Sequence, residues 1–74
     1  MTEILLFLAL WGCTNPTLDI HVNPDAKYPG YYHQSGWIEV RPNVPDTVLI
    51  HELAHSCGAN EQEAHRLQLL WENR

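Results

Sequence analysis

The sequence predicts an α+β fold in which a small antiparallel sheet of about three strands is followed by two helices that fold back antiparallel on each other. Residues 18–41 hold short runs that alternate apolar and polar, punctuated by Asn, Pro and Gly, as strands and turns do. Residues 44–57 and 61–71 instead space their apolar positions as helices do, and Gly58 stands between them as a stop.

Taken in order, Ile4 to Trp11 form an apolar run too short to span a bilayer. Two readings stay open for it. It is the first helix of the domain, or residues 1–13 are a lipoprotein signal peptide whose Leu10-Trp11-Gly12-Cys13 resembles a bacterial lipobox. The second reading implies lipidation of Cys13, membrane anchoring and an extracytoplasmic location; the first implies a cytoplasmic one. No Lys or Arg precedes the run, and Glu3 sits where a signal peptide carries positive charge. Thr14-Asn15-Pro16 then reads as a linker into a domain spanning 14–74.

Leu18 to Val22 alternates as a half-buried strand, and Asn23-Pro24-Asp25 ends it. Tyr28 to His33 and Trp37 to Arg41 flank Gln34-Ser35-Gly36 and read as a hairpin, with Pro29 pushing its first arm toward an edge or irregular position. Asn43 is placed to cap a helix from Val44, with Pro45 in its first turn and Asp46 at the positive end of its dipole. That helix runs to about Cys57. Its apolar residues lie almost all round the wheel, the pattern of a helix buried on most sides. Asn60 with Glu63 has the form of a capping box for a second helix, whose stripe is Ala64, Leu67 and Trp71.

A chain of 74 residues is at most one domain with a marginal core, and such scaffolds usually add a disulfide, a metal or a partner. The two cysteines, Cys13 and Cys57, lack C-x-x-C spacing; they could pair, though nothing local demands it. A net charge of -5 with no basic run argues against nucleic acid as a partner. Five histidines are the more telling excess, because imidazole is the commonest protein ligand for zinc.

Two of the five lie in His51-Glu52-Leu53-Ala54-His55. Four residues apart on a helix, the two imidazoles project from one face and can reach one zinc ion at about 2.0–2.1 Å. Glu52 lies next to that face, where a carboxylate serves as general base rather than ligand. The competing reading is two surface histidines by coincidence. Against it, an otherwise apolar helix needs a reason to desolvate two histidines and a glutamate on one side.

From His51 to Glu61 the chain has the frame H-E-x-x-H-x-x-G-x-x-E, which resembles the long motif of metzincin peptidases, with Glu61 where they carry His or Asp. Those proteins also have a downstream methionine turn, and the only Met here is Met1. Glu61-Gln62-Glu63-Ala64-His65 resembles the E-x-x-A-D segment of gluzincins, with His65 in the Asp position. The match covers residues 44–71 and is that of a minimal gluzincin-like zincin, similar to small metallopeptidases of phages and bacteria. The resemblance implies a zinc metallopeptidase acting on peptide or protein, with His51, His55 and Glu61 as ligands and Glu52 as general base. Glu63 stays open as a rival ligand, although capping gives it other employment.

The resemblance further implies that an edge strand before the active helix binds extended substrate by β-augmentation, a place that Trp37 to Arg41 would occupy. It also calls for a donor to the transition state, for which Tyr31, Tyr32, His33 and His65 are available. His65 is in addition the residue placed to brace the ligand shell. Packing is the competing role for the hairpin aromatics, a surface position for His21, and the core for Trp37 and Trp71. Two other functions are carried forward: a non-catalytic zinc-binding domain whose metal stabilises the fold, and a small interaction protein with a decayed motif.

Overall fold

The alternating runs form a three-stranded sheet of β1 (Ile20–Val22), β2 (Gly30–His33) and β3 (Trp37–Val40) in the computed structural model, which describes residues 1–74. Ile38 and Val40 of β3 point inward and are buried, as their spacing of two requires. β2 and β3 are the expected hairpin, with Tyr32 opposite Ile38 and the turn closed by the Gly36 N–H donating to the His33 carbonyl at 2.8 Å. Gly36 has φ 106°, a left-handed conformation that suits glycine.

The sheet is mixed, not antiparallel as expected. β1 pairs parallel with β3, Ile20 against Ile38 and Val22 against Val40, and the order is β1-β3-β2. Residues 23–29 arch past the end of β3 instead of making a tight hairpin, so β3 enters between the two earlier strands. Arg41 ties down this arch through hydrogen bonds from Nε to the Ala26 carbonyl (2.9 Å) and from Nη2 to the Lys27 carbonyl (2.7 Å). The topology corrects a second expectation, because Trp37 to Arg41 belongs to the central strand and has no free edge to offer. The free edges belong to β1 and β2.

Helix α1 is Thr2–Leu10, α2 is Asp46–Ser56 and α3 is Glu61–Glu72. α2 begins two residues later than expected. Val44 precedes a proline, which disfavours helical backbone there, and Pro45 itself is the extended N-cap residue. Asn43 sits in the left-handed region at φ 61° and does not cap the helix. Asn60 caps α3 as expected, its Oδ1 accepting from the Glu63 N–H at 2.8 Å.

α2 is the centre of the molecule, meeting α1, α3, β2 and β3, and its Ile50, Leu53 and Ala54 are fully buried. Ile4 and Leu8 of α1, Ile38 and Val40 of β3, and Trp71 of α3 complete one core with Ile50 and Leu53. Cys13 belongs to that core and is bonded to Cys57 at the end of α2, with a Cα–Cα distance of 5.6 Å. A lipid thioether on Cys13 would take the same sulfur, so lipidation and this disulfide exclude each other. No helix is long and apolar enough to cross a membrane.

Candidate metal centre

A four-residue spacing within α2 puts the His51 and His55 rings on one face, with centroids 4.9 Å apart. Gly58, at φ 94°, ends the helix in the left-handed conformation common past a C-terminus, and its N–H donates to the His55 carbonyl at 2.9 Å. The reversal brings Glu61, the first residue of α3, back over the two histidines. Both Nε2 atoms lie 2.8 Å from the same Glu61 oxygen, Oε1. One donor atom from each of the three residues lies within 4.8 Å of the others, so His51, His55 and Glu61 form a group that could hold a metal ion.

The far nitrogens of both rings are engaged too. His51 Nδ1 lies 3.0 Å from Gln68 Oε1, and His55 Nδ1 lies 2.9 Å from the Ala59 carbonyl oxygen. The rings are therefore held from behind while their Nε2 atoms converge. Hydrogen bonds from His51 and then His55 hold the Glu61 carboxyl below the ordinary carboxylate range. Burial works to lower His55, but the Ala59 carbonyl and the Glu61 carboxylate outweigh it and raise its pKa.

Glu52 lies where β2 crosses α2. A Cβ added to Gly30 would sit 2.5 Å from Val48 Cγ1 and 3.1 Å from Glu52 Cγ, so only glycine allows this approach. Burial pushes the Glu52 carboxyl above its ordinary value, against the pull of His51 and His55 and a hydrogen bond from the Tyr32 backbone. Between β2 and the two helices lies an open cleft of 670 Å³, with Tyr28, Tyr31 and Tyr32 on one side and His51, Glu52, His55 and Glu61 on the other.

The Arg41 N–H donates to the Pro29 carbonyl at 2.9 Å, which makes 29 and 41 a hydrogen-bonded pair. By alternation Tyr31 and His33 also face β3, while Gly30 and Tyr32 turn their backbone groups to the free edge beside Glu52.

Tyr31 and Tyr32 both border the cleft, but the Tyr31 ring packs edge-on against His33, with centroids 4.9 Å apart, and His33 does not reach the cleft. It lies on the outer face of the sheet, stacked on Trp37 at 3.8 Å and 3.0 Å from Glu39 Oε1. There Glu39 is held below the ordinary carboxylate range by hydrogen bonds from Asn23 and His33. Trp37 is only half-buried; Trp71 is the core tryptophan. His65 is exposed, has no hydrogen bond and is absent from the cleft wall. It follows buried Ala64 by about 100° of helix rotation, which turns it to solvent. The residue behind His51 is Gln68, which sequence reasoning missed. Its signal was the spacing of seven from Glu61, two turns along the same face of α3. Glu63 is exposed and its carboxylate lies outside the group.

Comparison with protein-family models, with curated proteins and with solved structures finds no match.

Proposed function

We propose that the chain is a minimal zinc-dependent metallopeptidase. The observation that carries this reading is the meeting of two Nε2 atoms from one helix at a single Glu61 oxygen, with Glu52 in the same cleft. Two imidazole nitrogens and one carboxylate oxygen are a donor set suited to zinc, and three protein donors leave a fourth position for water or substrate. Zinc bound there supplies Lewis acidity and makes water acidic enough to lose a proton near neutral pH.

Glu52 would take a proton from the attacking water on its carboxylate as the water oxygen bonds to the scissile carbonyl carbon, and give it to the amine nitrogen as the C–N bond breaks. Its half-buried position beside His51 and His55, with a raised pKa, suits a base that must also release a proton as an acid. The extended substrate adds to the free edge of β2, where the Gly30 N–H and carbonyl and the Tyr32 carbonyl await a partner strand.

A non-catalytic zinc clasp is the second reading, favoured by one observation. The ligands come from two helices and Glu61 is 77% exposed, so an ion there would pin α3 to α2 at the surface. Glu52→Gln separates the two. It keeps shape and hydrogen-bonding reach but accepts no proton, so zinc stays bound while hydrolysis of an unstructured peptide falls about 10²–10⁴-fold. A wild type that binds zinc and cleaves nothing makes the clasp the correct reading.

A further inference from the structure

We infer that Gln68 is the positioning residue of the centre, fixing His51 in the tautomer that presents Nε2 to a metal. The inference rests on the metal-site reading above and adds to it the one side chain that prepares the site. A neutral imidazole has one N–H, and a ring that binds metal through Nε2 must carry its proton on Nδ1. For His55 the acceptor of that proton is a backbone carbonyl, Ala59 at 2.9 Å, which no side-chain substitution removes. For His51 it is Gln68 Oε1 at 3.0 Å, reaching across from α3.

The other side of the ring pulls the opposite way. Glu61 Oε1, 2.8 Å from His51 Nε2, accepts a proton there and so favours the tautomer that closes the ligand nitrogen. Gln68 opposes it. The His51 side chain is only 15% exposed, so water is a poor substitute for the lost acceptor. An amide also differs from the carboxylate that often stands behind a ligand histidine, because it can rotate and donate instead. Gln68→Glu makes the position acceptor-only and strengthens the bias.

The test titrates zinc against a chromophoric chelator for wild type, Gln68→Met, Gln68→Glu and the exposed control Gln62→Met. The same four metal-free proteins are examined by nitrogen-15 NMR of the His51 ring. Gln68→Met should bind zinc about 10–100-fold more weakly and shift His51 toward the Nε2–H tautomer. Gln68→Glu should keep the Nδ1–H tautomer, and Gln62→Met should match wild type in both. Unchanged affinity or an unchanged tautomer in Gln68→Met overturns the inference. A wild type that takes up no zinc overturns the metal reading, and the tautomer shift alone then decides whether Gln68 positions His51. Metal-free melts establish that each variant is folded; if Gln68→Met is not, Gln68→Leu replaces it.

Discussion

Glu52 is the residue at which stability and chemistry pull apart. Burial raises its pKa, so the folded chain holds the Glu52 proton more tightly than the unfolded chain does. Its contribution is therefore fully present below the ordinary carboxylate pKa and is lost as pH rises through the raised folded value. In chelator-treated protein, Glu52→Gln removes that loss. The variant should melt a few degrees above wild type at pH 8, and the difference should vanish near about pH 3, where both side chains are neutral. Glu61 has the opposite sign: its depressed folded pKa gives stability above the unfolded value that is lost as pH falls through the folded one. Thermal melts across pH check this, and a Glu52→Gln variant no more stable than wild type at pH 8 contradicts it.

At the scale of elements, the site depends on how closely β2 lies on α2. Gly30→Ala would drive a methyl into Val48 Cγ1, an overpacking that costs about 1–3 kcal/mol and moves the strand away from Glu52. The urea midpoint should fall, and adding Val48→Ala should recover much of the loss; a single variant as stable as wild type would show the contact to be unimportant. Gly30 illustrates what the sequence conceals. Nothing in its neighbours announces the close approach, because α2 is distant along the chain. Strand order was hidden for a similar reason: the alternation of Leu18 to Val22 does not say which strand lies beside it, and it overstated burial, because only Ile20 is partly buried while Leu18 and Val22 are exposed. Local signals were legible. The Asn60 cap, the Gly58 reversal and the hairpin turn each rest on a few adjacent residues, whereas the Asn43 cap failed because the Val44-Pro45 restriction outweighs it. The His51, His55 and Glu61 cluster was legible because one helical period and one tight reversal set its geometry. Gln68 was not, since its spacing of seven from Glu61 carries meaning only once Glu61 is placed over the two histidines.

The whole molecule is held by a small core and by one covalent cross-link, and the candidate metal centre lies at the same turn. The Cys13–Cys57 disulfide joins α1 to the end of α2 across 44 residues, which by loop entropy stabilises by about 4 kcal/mol. A metal on His51, His55 and Glu61 would join α2 to α3 on the other side of Gly58. Chelation of the oxidised protein should lower the melting temperature but leave a cooperative transition, while chelation with a thiol reductant should abolish folded structure. Circular dichroism under the four conditions checks this, and a melt indifferent to both treatments contradicts it. The most direct measurement is the zinc content and affinity of purified wild type, Glu61→Ala and Glu63→Ala. One zinc per chain in wild type, nearly unchanged in Glu63→Ala and much weakened in Glu61→Ala, is the predicted result. A wild type without zinc, or a metal lost with Glu63 and kept without Glu61, would contradict the account.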